Sequence, residues 1–509
     1  MAIARTYAAT LIGVSGHPVE VEADLSAGLP GLTFTGLPDT TVVEARERVR
    51  AAVLNAGGDW PNRRITVALL PADLRKNGSR FDLALAVAIL AAAGTLPAAP
   101  LTGIGWIGEL GLDGRVRAVR GVLPAVMALA RAGITRVVVP AANGAEAALV
   151  PDMEVRAVEQ LRDVIAWLRG EQPPPGLVHF DPNRSVAPTG PDLSDVVGQM
   201  AARRAVEVCA AGGHHLFMSG SPGAGKTMLA ERLPSVLPEL SDEQALEVTA
   251  VHSVAGALPD GAPLVRRAPF QAPHHTASMA ALVGGGAGLA RAGAISLAHR
   301  GVLFLDEAPE FAPTALDALR QPLESGRVVL HRSGGAVIYP ARFLLVLAAN
   351  PCACGAPRDR DCRCPSSVRR RYQQRISGPL RDRIDIRVDV QPVARADLMD
   401  SPAGEDSATV GARVRSARRM AGERWRSHSW EVNGDARGSV LRGRALRPGR
   451  RELEPVERAL DRGALSARGY DRVLRLAWTI ADLAGHGAPT TADVAEALFY
   501  RTGREEVAG

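Results

Sequence analysis

Lysine is almost absent: of the sixty basic residues in this 509-residue chain, all but Lys76 and Lys226 are arginine. A lysine that survives so strong a bias marks a place where a compact ammonium does what a planar guanidinium cannot. Aromatic residues are scarce at 4%, so the cores must be built from Ala, Val and Leu. Long apolar runs are also missing. The longest, Leu83 to Gly94, is too short to span a bilayer and follows Asp82. The N-terminus lacks the basic-then-apolar order of a signal peptide. There are five cysteines, and four crowd into one short loop, unlike the spread of a secreted disulfide scaffold. These absences exclude membrane-spanning and disulfide-framework classes and place the chain in the cytoplasm.

The length allows three or so domains, and 46% hydrophobic with 22% charged residues fits a soluble globular protein. The net charge of +6 is unevenly placed, with twelve arginines from Arg413 to Arg451 against only Glu423, Glu431 and Asp435. Such a patch suits a polyanion, nucleic acid first. A solvated arginine-rich face is the plainer reading.

Residues 1–170 read as one α/β domain, with Arg64 to Leu70 a strand, Asp82 to Ala93 a helix and Arg136 to Val139 a strand. A proline-rich linker occupies 171–191. Residues 192–392 alternate strand and helix. Their continuous apolar strands at Leu216 to Ser219, Gly301 to Leu305 and Phe343 to Ala349 fit a parallel sheet covered on both faces. Residues 393–509 read as helical, with Thr490 and Asp493 forming a capping box.

The second stretch carries the chemistry. Gly220-Ser221-Pro222-Gly223-Ala224-Gly225-Lys226-Thr227 fits the phosphate-binding pattern G-x-x-x-x-G-K-[ST]. Its backbone N–H groups would cradle phosphates, Lys226 would reach the β- and γ-phosphates and Thr227 would ligate Mg²⁺. A glycine-rich turn with an incidental lysine is the bland alternative. The apolar strand Val302 to Leu305 then ends in Asp306 and Glu307, 80 and 81 residues after Lys226. Asp306 would hold the Mg²⁺ shell and Glu307 would polarise the attacking water. Asn350 ends the third strand, where open α/β sheets bind ligands; a turn role before Pro351 is the alternative. Arg381 and Arg383 offer guanidinium groups to a γ-phosphate on a neighbouring subunit, and Arg468 and Arg472 share a helix face.

This ordered set resembles an AAA+ ATPase. The resemblance makes GSPGAGKT the Walker A motif, LFLDE Walker B, Asn350 sensor 1, Arg383 the arginine finger and Arg468 sensor 2, with Arg472 the second choice. Arg267 to Ser278 followed by Val283 to Gly286 looks like the helix-2 insert of magnesium chelatase subunits and minichromosome-maintenance helicases. Val328 to Ile338, alternating around the Ser333-Gly334-Gly335 turn, matches the pre-sensor-1 hairpin of that clade. The clade places Arg332 in a central channel. His274 and His275 lack partners at metal-ligand spacing and join Arg332 and Lys76 as candidate DNA contacts.

Further upstream, Trp106 to Val116 and Gly133 to Pro140 resemble the proteolytic domain of Lon proteases, with its ribosomal S5 domain 2-like α/β fold. Arg80 or Phe81 falls where that family's serine nucleophile should be, and Leu123 where its lysine should be; Ser79 would be a displaced nucleophile with only Lys76 as a lysine partner, so peptidase activity is not expected. Lys76 is either a nucleic-acid or protein contact or an exposed loop lysine. Cys352, Cys354, Cys362 and Cys364 form two C-x-C pairs after sensor 1. They suit a Zn²⁺ site, with free or redox-active thiols and an iron–sulfur cluster as alternatives.

The whole order resembles the YifB/ComM family of magnesium-chelatase-like ATPases. It implies a Lon-like α/β domain without its catalytic dyad, a P-loop AAA+ αβα module and a helical C-terminal lid. It further implies ATP and Mg²⁺ as cofactors and a homohexamer that moves branches of single-stranded or branched DNA in natural transformation. A chelatase motor for metal insertion and a protein-remodelling unfoldase are the other classes.

Overall fold

The structure, a computed structural model, describes residues 3–179, 190–259, 263–286, 291–332, 335–356, 361–393, 399 and 404–503. It divides into two compact units that do not follow chain order. The first draws on 1–187, 245–265 and 331–339, and the second on 188–244, 266–330 and 340–509.

In the first unit, β1 (Ile3–Ile12) and β2 (Ser15–Ser26) make a long antiparallel hairpin, with Ile3 opposite Asp24 and Ile12 opposite Ser15. Gly13 turns it at φ +62, a conformation open to glycine. The strands β3 (Gly31–Thr35), β4 (Arg64–Leu70), β5 (Ile104–Trp106), β8 (Arg136–Pro140) and β9 (Glu154–Val158) complete a seven-stranded sheet, ordered β3-β4-β2-β1-β5-β8-β9. A short hairpin of β6 (Glu109–Leu110) and β7 (Val116–Arg117) stands apart from it. Successive side chains of a strand face opposite sides. Ala8 therefore joins a core with the helices Thr40–Asn55 and Asp82–Ala92, while Ala9 joins one with helix Val122–Arg131. Every residue of Asp82–Ala92 is buried, which is why that stretch reads as almost wholly apolar. The buried Asp82 carboxylate is met by Arg48 Nε at 3.0 Å and by the Leu110 amide at 3.2 Å.

In the second unit the described strands are β10 (Leu216–Ser219), β11 (Phe270–Gln271), β12 (Gly284–Gly285), β13 (Arg291–Ala292), β14 (Val302–Leu305), most of β15 (Arg327–Arg332), β17 (Leu344–Ala349) and β18 (Ile386–Asp389), while β16 (Gly335–Pro340) groups with the first unit up to residue 339. Five of them form a wholly parallel sheet in the order β11-β14-β17-β10-β18. Both faces are covered. Leu216, Met218, Val346 and Ile386 pack with helices Met200–Gly212 and Lys226–Val236, and Leu303, Leu305, Leu345 and Leu347 pack with Phe311, Leu316 and Ile376. β12–β13 and β15–β16 are separate hairpins, and residues 331–339 of the latter group with the first unit. Residues 404–503 are mainly helical, including Ser407–Arg424, Arg450–Asp461, Ala467–Ala484 and Thr491–Thr502. Thr490 and Asp493 close the capping box. Among the described residues no helix is long and apolar enough to cross a membrane.

Candidate functional site

All strands of the five-stranded sheet run the same way, so their carboxyl ends share one edge, and the phosphate-binding loop leaves β10 there. Gly223 and Gly225 hold φ of +75 and +94, and a Cβ at either would meet nothing within 4 Å. These glycines therefore serve backbone conformation rather than close packing. Gly220 is different, since a Cβ there would strike the Val390 carbonyl. The Lys226 ammonium donates to the carbonyls of Gly220 (2.7 Å) and Ser221 (2.9 Å) and to the Asn350 amide oxygen at 3.1 Å. Burial pulls this lysine below its ordinary pKa, against the opposing pull of Asp306 and Glu307. Loop lysine and Asn350 thus share one site.

Thr227 Oγ1 donates to Asp306 Oδ2 at 2.8 Å, and the Glu307 amide donates to Asp306 Oδ1 at 2.9 Å. A hydroxyl and a carboxylate side by side suit a hard, oxygen-seeking cation such as Mg²⁺. Glu307 stands in the left-handed region at φ +49, a strained setting for a non-glycine residue. Its carboxylate lies 3.3 Å from His275 Nδ1. The parallel register of β11 with β14, Phe270 beside Val302, brings His275 to Glu307. Sequence spacing offered His275 no carboxylate partner, and only the strand pairing supplies one. The His274 ring lies tilted against that of His275, 4.1 Å between centroids, and its Nδ1 bonds Thr276 Oγ1 at 2.8 Å.

Arg383 and Arg472 occupy the opposite edge of the sheet. Arg383 precedes β18, donates to the Pro379 carbonyl at 2.8 Å and pairs with Glu324. Arg472 donates to the Arg383 carbonyl at 3.1 Å and pairs with the buried Asp385. Burial pushes Asp385 up, but Arg472 and His214 outweigh it and hold the carboxylate well below its usual range. Both arginines line a cavity of about 660 Å³ with Arg342, Arg475, His215 and Leu344, the last of these beginning β17. Arg468 is exposed on its helix. Arg381 lines a different cavity, of about 300 Å³, with Asn350 and Tyr372.

The four loop cysteines converge, with their sulfurs all within 4.8 Å of one another and Cys354 Sγ 3.5 Å from Cys362 Sγ. Four thiolates at the usual Zn–S distance of about 2.3 Å around a tetrahedral ion sit about 3.8 Å apart, so this set fits zinc. A Cβ on Gly355, inside the loop, would lie 3.5 Å from Pro222 Cγ of the phosphate-binding loop.

The remaining candidates are scattered. Lys76 is fully buried, and its ammonium donates to the Pro71 carbonyl. Arg332 ends β15; its side chain, the Ser333-Gly334 turn and linker residues 180–189 lie outside the described residues. Ser79 Oγ donates to Glu109, and no lysine stands at the buried Leu123. Of the arginine patch, Arg413, Arg418, Arg424, Arg442 and Arg447 bond Glu207, the Ala210 carbonyl, Asp482, Asp471 and Glu457 respectively. The exposed remainder is Arg415, Arg419, Arg426, Arg437, Arg444, Arg450 and Arg451.

Comparison with known proteins agrees with this layout. Residues 192–398 match the family model "Magnesium chelatase, subunit ChlI", residues 21–143 "Subunit ChlI of Mg-chelatase" and residues 404–501 "Magnesium chelatase, subunit ChlI C-terminal". An uncharacterized protein of Mycobacterium tuberculosis is 52% identical over 502 residues, covering 98% of this chain and 99% of its own. Competence protein ComM of Haemophilus influenzae is 41% identical over 505 residues, covering 98% of each chain. Lon protease of Mycolicibacterium smegmatis is 28% identical over 166 residues, 30% of this chain and 21% of its own. The chain belongs to the YifB/ComM family of magnesium-chelatase-like AAA+ ATPases.

Proposed function

We propose that this protein hydrolyses ATP to move DNA, as a homohexameric ring that migrates branches in transformation or recombination. One observation carries the ring: the phosphate-binding loop and Asp306–Glu307 lie at the carboxyl edge of the sheet, whereas Arg383 and Arg472 lie at its amino edge. An arginine there serves a nucleotide only on a neighbouring subunit. Lys226 would exchange its contacts with Gly220, Ser221 and Asn350 for the phosphates of the substrate ATP. Mg²⁺, held by Thr227 and Asp306, would neutralise phosphate charge. Glu307 would orient and polarise the attacking water while Asn350 positions it.

DNA as the moved polymer is supported by the relative named as a competence protein and by the seven exposed arginines of the 413–451 stretch. His274, His275 and Arg332 remain contact candidates within this reading, while the burial of Lys76 leaves it a structural role in the loop. The cysteine loop would hold structural zinc. With Ser79 tied to Glu109 and Leu123 in place of a lysine, the serine–lysine pair of the resembled proteases is missing, so no peptidase activity is proposed. Forked DNA should raise the ATPase rate, and strand-exchange intermediates should be resolved only with ATP. A rate unmoved by any DNA would defeat the proposal.

A further inference from the structure

Helix Asp242–Ala255 follows the phosphate-loop helix Lys226–Val236 after a short link, yet from residue 245 onward it belongs to the first unit. Its apolar residues Leu246, Ala250 and Val254 pack into the core that Val122, Leu123 and Val126 build beside β1. Its last turn is fastened by polar groups. The Gly121 amide donates to the Ser253 carbonyl at 3.1 Å, and Ser253 Oγ donates to Glu146. That buried carboxylate also accepts from the Leu123 amide (2.8 Å) and Asn143 Nδ2 (3.2 Å), so Ser253 is one of three donors holding it.

Gly121 is the floor of this socket. A Cβ there would run into Leu11 and lie 3.3 Å from Val254 and 3.7 Å from Arg80 Nη1. The Arg80 guanidinium is itself enclosed, with Nε and Nη1 lacking hydrogen-bond partners among the described residues, and Asp39 and then Glu146 supply nearby opposite charge. Arg80 and Leu123, the residues at the absent dyad's positions, therefore flank the seat of residues 253–254. A second piece of ATPase sequence is held by the same unit: Val337 Cγ1 would lie 2.8 Å, and the Ile338 carbonyl 3.0 Å, from a Cβ on Gly13.

We propose that this socket is the working surface of the N-terminal domain, and that its ligand is the 246–254 helix of the same chain. The domain grips the segment that continues from the nucleotide-binding helix, so nucleotide state at Lys226 is transmitted to helix Val122–Arg131. The proposal rests on the nucleotide-binding part of the reading above and does not depend on DNA.

Hydrogen–deuterium exchange of the full chain, with and without AMP-PNP and Mg²⁺, tests it. In the wild type, amides of 246–254 should exchange as slowly as those of 122–131, and AMP-PNP should change exchange at 122–131 at least about twofold. Ala250→Glu puts a charge into apolar packing, an unfavourable burial that the helix escapes by leaving its seat. Exchange at 246–254 should then rise about tenfold or more, a fluorescent ATP analogue should still bind, and the response at 122–131 should vanish. Ser253→Ala adds no charge and should weaken the response partway; helix Asp82–Ala92 stays protected in both variants if the domain is folded. Fast exchange at 246–254 in the wild type overturns the docking. A response at 122–131 that survives release of the helix overturns the transmission. Absence of AMP-PNP binding in the wild type would instead condemn the nucleotide site.

Discussion

Replacing Arg383 with alanine separates a residue that serves its own nucleotide from one that serves a neighbour's. The guanidinium sits at the amino edge of the sheet, and strands of four to six residues separate that edge from the phosphate-binding loop. At about 3.3 Å per residue the gap is about 13–20 Å. Across it, a unit charge in a water-like medium acts with only about 0.2–0.3 kcal/mol, and salt reduces that further. Binding of ATP to the variant's own loop should therefore change by less than about twofold. A guanidinium applied directly to transition-state charge from a neighbouring subunit is worth about 10³-fold or more, or about 4 kcal/mol. Turnover should fall by that amount. Folding should be only modestly affected: the Arg383 side chain is 16% exposed, but its partner Glu324 is 69% exposed, and ion pairs that reach solvent contribute about 0–1 kcal/mol. The assay is fluorescent-ATP binding beside steady-state hydrolysis, repeated after mixing Arg383→Ala with Lys226→Ala subunits. Hybrid interfaces pair an intact loop with an intact arginine and should recover part of the activity. A variant that loses nucleotide binding, or mixtures that stay inactive at concentrations where rings form, would refute the reasoning.

Lys226→Ala should abolish nucleotide binding while Glu307→Gln binds ATP and hydrolyses it at least about a hundredfold more slowly; rapid turnover in Glu307→Gln would remove Glu307 from the reaction. Purified protein should carry about one zinc per subunit by elemental analysis, and Cys352→Ser/Cys354→Ser should lose it together with ring assembly or coupling; four titratable thiols without metal would exclude the site. Neutralising exposed arginines such as Arg415, Arg419 and Arg426 should lower the log–log salt slope of DNA binding by about 0.7–0.9 for each phosphate no longer neutralised, while neutralising the internally paired Arg424 should lower stability instead. Burial depresses the His215 imidazole to about 4, and its Nδ1 accepts the Leu345 amide at 3.1 Å. Between pH about 6.5 and 4 the unfolded chain binds a proton that the folded chain refuses, so stability falls across that window by up to about 3 kcal/mol. His215→Gln should flatten this slope in denaturant titrations at pH 7 and 4.5, and an unchanged slope would assign it to other groups.

Motifs whose chemistry fixes their spacing were legible in the sequence. The phosphate-binding loop, the acid pair after an apolar strand and the Thr490–Asp493 capping box all stand where their residue patterns imply. The β1–β2 hairpin was missed although Val19, Val21, Ala23 and Leu25 alternate with polar residues, a period-two signal that was present to be used. Other features had no local signal. Arg413 reaches Glu207 across 206 residues, so composition alone could not separate paired arginines from exposed ones. The contact of His275 with Glu307 depends on strand register, and the allegiance of helix Asp242–Ala255 depends on tertiary packing, since its apolar residues do not say which core they join.

The central claim is that ATP hydrolysis here is coupled to DNA. The most direct measurement is the steady-state ATPase rate of the purified protein with forked DNA, with a tetrapyrrole plus Mg²⁺, and with an unfolded protein, each at matched concentration and low salt. The account predicts stimulation by forked DNA alone, abolished in Lys226→Ala and diminishing as salt rises. Stimulation by the tetrapyrrole or the unfolded protein, with none by DNA, would contradict it.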